Sequence, residues 1–151
     1  MDVEAIFLRH VDTVYRVCYS FMGNAADSED ATQSTFVKLM KARPTFTNEE
    51  HEKAWLIRVA SNHCKDVLKS SVRKGVSLES VAEPAADDRG PDLALDAVLA
   101  LDSKYKDVVY LHYYEGYSAA DIARMLGKPS STVRTHLREA RAILRKALGG
   151  Q

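Results

Sequence analysis

Four arginines, Arg134, Arg138, Arg141 and Arg145, recur at steps of four, three and four. Val133, Leu137, Ala140 and Leu144 repeat those steps one residue earlier. Residues three and four apart share a helix face, so this pattern sets a basic ridge beside an apolar stripe. Between Lys128 and Lys146 there are six Lys or Arg residues and one acid, Glu139, a local charge of +5. Guanidinium groups in such a row suit phosphates and the acceptor edge of guanine. The competing reading is a solvated face that only keeps the helix in water.

A ridge of this kind works only if something fixes its angle, and the preceding stretch supplies the parts. Ser118 with Asp121 three residues on is a capping pair that opens a short helix. Ile122, Ala123 and Leu126 give that helix one apolar face. Gly127-Lys128-Pro129 breaks it, because Gly adopts the left-handed conformation and Pro cannot continue a helix. Ser130 or Ser131 is then expected to cap a second helix that runs to Gly149-Gly150. Two short helices, a glycine turn, a small residue at the crossing and a basic front match a helix-turn-helix reader of the DNA major groove.

The rest of the chain reads as helices of the same solubility class. Residues 2–22 form an amphipathic helix whose apolar positions are Val3, Phe7 and Val11, or Ile6 and His10, followed by Val14, Cys18 and Phe21. Gly23-Asn24 ends it, with Asn24 the expected cap of a second helix reaching Ala42 before Arg43-Pro44. The buried side expected there is Ala31, Phe36, Val37 and Met40. Its polar side carries Asp27, Asp30, Gln33 and Ser34, an acidic strip that matches ordinary surface. A loop holding one isolated aromatic, Phe46, leads to a third helix from Glu50 to Ser71. Trp55, Leu56, Val59, Ala60, His63 and Val67 lie on one arc of it, with Trp55 as a core anchor. Arg58, Asn62, Lys65, Asp66 and Lys69 lie on or near the other; a mid-helix Asn is a poor helix former and wants a partner.

Residues 73–92 are rich in Pro, Gly and acids and read as a flexible linker. Helical periodicity resumes from Asp92 to Glu115, and Tyr105, Tyr110, Tyr113, Tyr114 and Tyr117 crowd its end. Core packing is the expected role of these tyrosines, with a stacking platform for single strands the alternative. No strand pattern appears. The expected fold is all-α: two small helical domains, 1–72 and 93–151, joined by the linker.

At 151 residues and 46% hydrophobic content the chain can bury globular cores. The net charge is zero, but residues 1–72 carry 9 bases and 10 acids, 73–92 carry 3 and 5, and 93–151 carry 9 and 6. Neutrality overall therefore does not exclude nucleic acid when positive charge gathers on one element. Cys18 and Cys64 are the only cysteines and neither belongs to a CxxC pair, so neither a disulfide framework nor a zinc site is expected. His63-Cys64 neighbours point about 100° apart on a helix and make a poor metal pair. No segment reads as a signal peptide or a bilayer span, so a cytoplasmic location is expected. Nothing resembles a nucleophile with its base, a phosphate-cradling Gly loop or a metal cluster; no catalysis and no cofactor are expected.

Three stretches together carry a family resemblance. Asp27-Ser28-Glu29-Asp30 with Gln33 and Phe36 is similar to a D-x-E-D-x-x-Q-x-x-F helix. Ala54-Trp55-Leu56-Ile57-Arg58-Val59-Ala60 with Asn62 and Asp66 is similar to A-W-L-x-x-I-A-x-N-x-x-x-D. Ser131-Thr132-Val133-Arg134-Thr135 with Arg138 and Arg141 is similar to a G-T-V-[KR]-S-R-L-x-R-A-R recognition helix. The chain resembles the two-domain, extracytoplasmic-function type of bacterial RNA polymerase sigma factor from about Val3 to Leu148. The resemblance implies that Asp27, Glu29, Asp30 and Gln33 contact the clamp of core RNA polymerase. It implies that Phe46, Arg58, Asn62, Lys65 and Lys69 read the opened −10 element, where an aromatic covers an unstacked base and an amide bonds to it. It assigns duplex −35 contacts to Ser131, Thr132, Arg134, Thr135, Arg138 and Arg141. It further implies an anti-sigma partner, with no membrane insertion and no small-molecule substrate.

The chain departs from the pattern at Glu139, where the family has a second arginine and where a carboxylate can accept from cytosine N4. It departs again at Thr135-His136, Ser61 and Ser34-Thr35. Two other functions remain open on the residues: an autonomous DNA-binding regulator using the helix-turn-helix alone, and a protein that docks on polymerase without reading promoters.

Overall fold

In the computed structural model residues 1–73 and 93–149 are described, and among them the fold is all-α, with no strand. The chain divides into two compact units, Met1–Glu83 and Pro84–Gln151. Residues 74–92, most of the expected linker, lie outside the described residues.

The first unit is a bundle in which each of three helices packs on the other two. Helix α1 (Val3–Met22) starts at Asp2, whose side chain accepts from the Ala5 N–H, and stops at Gly23 in the left-handed conformation. Helix α2 (Ala25–Ala42) begins at the expected cap: Asn24 Oδ1 accepts from Asp27 N at 2.8 Å. It ends at Arg43, also left-handed, with φ 45°. Helix α3 (Glu49–Arg73) is opened by Asn48, whose Oδ1 accepts from His51 N at 2.8 Å. Ile6, Val14, Val17, Cys18 and Phe21 of α1 meet Leu39 of α2 and Leu56, Ile57, Ala60 and Cys64 of α3 in the core. Of the two α1 stripes the sequence allowed, the one through Ile6 and His10 is buried, while Phe7 is exposed.

The expected inner side of α2 needs correction. Ser28, Ala31, Thr32, Thr35, Phe36 and Leu39 are buried, whereas Val37 is 40% and Met40 50% exposed. The reason is positional. With about 100° between residues, Val37 lies opposite the buried positions 28, 32, 35 and 39. The hydroxyls of the buried series lose nothing, because Ser28, Thr32 and Thr35 each donate to a carbonyl four residues back, at 2.5, 2.7 and 2.9 Å. Trp55 is half-buried, not a core anchor; Ile57 and Cys64 hold the deepest places on α3. The two cysteines are free thiols, and a hydrogen bond between their side chains lowers the Cys18 pKa against the opposing effect of burial.

The second unit is built from shorter pieces: α4 (Leu93–Leu99), α5 (Ser103–Val109), α6 (Ala119–Leu126) and α7 (Ser130–Ala147). The periodic run from Asp92 to Glu115 is thus two helices, since Asp102 interrupts it and caps α5 by accepting from Lys104 N at 3.0 Å. Helix α5 continues into a wider π turn, Tyr110–Tyr114, closed by Glu115 N donating to Tyr110 O at 3.2 Å. Val98, Leu101, Tyr105, Val108, Val109, Leu111, Ile122, Leu126, Val133 and Ala140 form the core. Core packing holds for Tyr105 and Tyr110; Tyr113 and Tyr114 are exposed, because the wider turn swings them outward.

The helix-turn-helix is present as α6, a turn and α7. Ser118 caps α6 by accepting from Asp121 N at 3.1 Å, and Gly127 (φ 66°) ends it. The start of α7 differs from expectation. Ser130 is already helical, extended Pro129 stands in the capping place, and no side chain caps the helix. Neither serine can serve, because both already lie within the helix.

Candidate nucleic-acid interface

Helix α3 presents Arg58, Asn62, Lys65 and Lys69 at steps of four, three and four, along about 16 Å of its length. Arg58, Asn62 and Lys69 are exposed and Lys65 is half-buried. The side chain of Asn62 bonds to nothing among the described residues. The partner expected for this mid-helix amide is therefore not among the described residues of the unit. His51 and Trp55 continue the strip toward the start of α3, and there the loop folds onto it. Phe46 is not isolated: its ring meets His51 edge-on at 5.2 Å and Trp55 at 6.0 Å. His51 is fixed in turn, since its Nδ1 accepts from Thr47 N at 3.1 Å. The result is a cationic strip with a central amide and an aromatic corner.

Below that corner a polar knot ties α1 to α3. Glu52 is nearly buried and accepts from Arg9 Nη2 through both oxygens at 3.0 Å, with His10 Nε2 at 3.0 Å from Oε1. The knot forms one wall of a hollow of about 470 Å³, which Arg43, Pro44 and Phe46 also line. Farther along α3, His63 Nδ1 lies 3.3 Å from Lys38 Nζ, and burial and then Lys38 push its pKa down. Its neighbour Cys64 faces the core, so the pair does not converge on a metal.

Helix α2 turns Glu29, Asp30 and Gln33 outward, and all three are exposed. Asp27 stands apart from them: its Oδ2 accepts from Asn24 Nδ2 at 2.9 Å, completing the cap. Val37 and Met40 share the outward face, so an acidic strip is flanked by exposed apolar side chains. The signal was available in the sequence, because Gln33, Val37 and Met40 follow steps of four and three and cannot face opposite ways.

On α7 the arginine ridge is intact. Arg134, Arg138, Arg141 and Arg145 are exposed, as is Ser131, while Thr132 and Thr135 are half-buried beside it. Three details modify the ridge read from the sequence. Lys128 turns inward to Asp107, with Nζ 3.6 Å from Oδ2, so its charge is not displayed with the arginines. Glu139 accepts from Tyr105 Oη at 3.4 Å, drawing its carboxylate toward α5 rather than into the ridge. Arg141 donates through Nε to Tyr113 Oη at 3.3 Å. Arg141 and Arg145 also line an apolar groove of about 400 Å³ with Val98, Tyr113, Tyr114 and Leu148. His136 packs edge-on against Tyr105 at 5.6 Å, and its buried Nδ1 has no hydrogen-bond partner. Burial first, then Lys128, lowers its pKa.

Each unit thus carries one helical cationic strip, and the first adds an acidic–apolar face. Comparison with known proteins agrees with that division. The model of sigma-70 region 2 matches residues 6–74, and that of sigma-70 region 4 matches residues 92–144. The chain is 31% identical over 86% of its length to the ECF RNA polymerase sigma factor BldN of Streptomyces coelicolor, spanning 54% of that protein. It is 28% identical over 91% of its length to the ECF RNA polymerase sigma factor SigW of Bacillus subtilis, spanning 83% of it. Its fold matches the sigma factor RpoE of Bartonella quintana, solved with the anti-sigma factor NepR, at a TM-score of 0.79 and 24% identity over 98% of this chain and 97% of that one. The chain belongs to the sigma-70 family of RNA polymerase sigma factors, and within that family to the extracytoplasmic-function type. No helix among the described residues is long and apolar enough to cross a membrane.

Proposed function

We propose that this chain directs core RNA polymerase to promoters by dividing three contacts between its two units. Glu29, Asp30 and Gln33, with Val37 and Met40 beside them, form the polymerase-binding face, and Asp27 supports that face by bracing the Asn24 cap of α2. Phe46, Arg58, Asn62, Lys65 and Lys69 take the opened −10 strand: the cations hold phosphates, the amide reads a base edge and the aromatic corner covers a base. Ser131, Thr132, Arg134, Thr135 and Arg138 read the −35 duplex in the major groove, with Arg141 at the far end of the same ridge. Bond formation belongs to the polymerase, and the role requires no cofactor or small-molecule substrate. The observation that carries the reading is the pairing, within one unit, of an acidic–apolar protein face on α2 with a cationic strip on α3 that ends in aromatics. An autonomous regulator has no use for that pairing. The inhibitor-bound structural relative supports a further partner, an anti-sigma factor that covers surfaces polymerase needs.

The test is run-off transcription from a genomic promoter library by core polymerase with and without the chain. Start sites sharing two spaced motifs are expected. Their absence, with no binding to core polymerase, would overturn the proposal. Asp30→Arg combined with Glu29→Arg is expected to remove polymerase binding and transcription while leaving helicity unchanged. Full transcription by that variant would move the polymerase contact elsewhere.

A further inference from the structure

The recognition helix α7 begins without a side-chain cap, so its own residues do not fix where it starts. Burial of Val133 and Ala140 holds its body, and the register of its first turn depends on the turn before it. Within that turn Gly127 and Lys128 both donate their backbone N–H groups to Ala123 O, which anchors the turn to α6. The side chain of Lys128 supplies an anchor to a different element, reaching Asp107 of α5 at 3.6 Å. Asp107 is 1% exposed, and its Oδ1 accepts from Val108 N at 2.8 Å. Burying a carboxylate is expensive unless it is paired, and an apolar residue would fill the same space without that penalty. A paired charge adds direction. It draws the lysine toward α5, and Lys128 sits two residues from the first residue of α7.

We propose that the Asp107–Lys128 pair is the positioning element of the recognition helix, and that Asp107 thereby governs −35 selectivity without approaching DNA. The inference rests on the −35 reading of α7 given above. Base-edge contacts from Ser131, Thr132, Arg134 and Thr135 depend on the placement of the first turns of α7, and sites of this kind tolerate displacements of only about 0.5 Å. Loosening the turn blurs which base each side chain meets while leaving the ridge charge almost unchanged.

Electrostatics alone gives the opposite sign, which makes the experiment decisive. Removing the Asp107 charge makes the unit more positive, so simple attraction predicts tighter binding to every sequence. Positioning predicts weaker discrimination. Holoenzyme assembled from core polymerase and the full chain would transcribe a promoter found in the library experiment, carrying either its own −35 element or a scrambled one. The ratio of the two rates is expected to fall about tenfold in Asp107→Asn, similar to one mismatched base pair. Lys128→Met should give the same fall, Lys128→Arg should restore most of the ratio, and the double variant Asp107→Asn/Lys128→Met should be no worse than either single one. In the salt dependence of holoenzyme binding, Lys128→Met should leave the slope nearly unchanged, whereas loss of a phosphate contact lowers it by about one.

Circular dichroism separates misfolding from repositioning. Should Asp107→Asn unfold, Lys128→Met, altered at a partly exposed side chain, carries the test alone. Undiminished ratios in the folded variants would overturn the proposal, as would additive losses with a reduced slope, which would make Lys128 a phosphate contact. If the unaltered chain showed no −35 preference, the fault would lie with the −35 reading of α7 itself.

Discussion

The two units hold a cationic strip on a helix by different means. Helix α3 fully buries Leu56, Ile57, Ala60, Ser61 and Cys64 along its inner face, with one polar knot at Glu52 near its start. Helix α7 fully buries only Val133 and Ala140, and Leu137 and Leu144 stay half-buried. Its orientation is completed by polar ties: Lys128 to Asp107, Tyr105 to Glu139, and Arg141 to Tyr113. Apolar burial is non-directional and sums with area, whereas charge-assisted bonds specify direction and respond to salt and protons. The first strip should therefore fail by loss of core volume, and the second by loss of angle.

The largest effect that separates them is a cavity under α3. Leu56→Ala is expected to cost about 2–5 kcal/mol of first-unit stability, the range for deleting a fully buried leucine side chain. Urea unfolding followed by Trp55 fluorescence reads it, since Trp55 is the chain's one tryptophan and lies on the same helix. A loss below about 1 kcal/mol would mean that apolar burial is not what holds α3.

The knot at Glu52 tests whether the first unit also depends on polar direction. Glu52→Gln keeps the shape but removes the charge that Arg9 and His10 share, and should cost about 1–3 kcal/mol. The same urea titration applies, and restoration of the midpoint in Glu52→Asp would show that charge matters more than reach.

Acid should bear on both units through one histidine each. His63 and His136 have pKa values lowered by burial and by a nearby lysine, Lys38 and Lys128 respectively. A lowered folded-state value means that the unfolded chain takes up the proton first. Stability is then complete above the ordinary histidine value of about 6.5 and falls as pH drops through it toward the lowered value. His136→Gln should flatten this acid slope for the second unit, and His63→Gln for the first, in denaturant midpoints measured from pH 8 to 5. An unchanged slope in either variant would remove that histidine from the account.

What the sequence made legible follows the same division. Caps at Asn24 and Ser118, the glycine ends at Gly23 and Gly127, and both basic strips were readable, because each depends on local chemistry or helical spacing alone. The inner face of α2 was misread because Val37 and Met40 are apolar and Thr32 and Thr35 are not. Hydroxyls that bond back to their own helix are buried at little cost, and Val37 and Met40 lie outside because helical spacing puts them opposite or beside that buried series. The inward turn of Lys128, the tie between Glu139 and Tyr105 and the outward tyrosines were not legible. They depend on which helix lies opposite, and on a π turn that no periodicity announces. The resemblance to a family supplied roles for residues such as Asn62, whose exposure and unbonded amide geometry alone leaves unexplained.

The smallest expected effect compares how the two units end the helix before their strip. Both α2 and α6 end on a left-handed residue, yet one uses Arg43 (φ 45°) and the other Gly127 (φ 66°). A side chain in this conformation costs about 1–2 kcal/mol relative to glycine, and part of the gain from replacing it is lost to the greater freedom of glycine in the unfolded chain. Arg43→Gly should therefore stabilise the first unit by about 0.5 kcal/mol, and Gly127→Ala should destabilise the second by about 1 kcal/mol. Arg43→Ala distinguishes backbone from guanidinium, because it removes the charge beside Phe46 but keeps the strain. If Ala and Gly at position 43 gave equal midpoints, strain would not be the cause. A gain from Gly alone would mean that the first unit tolerates a strained residue at the entrance to its aromatic corner, where the second has glycine at the entrance to its turn.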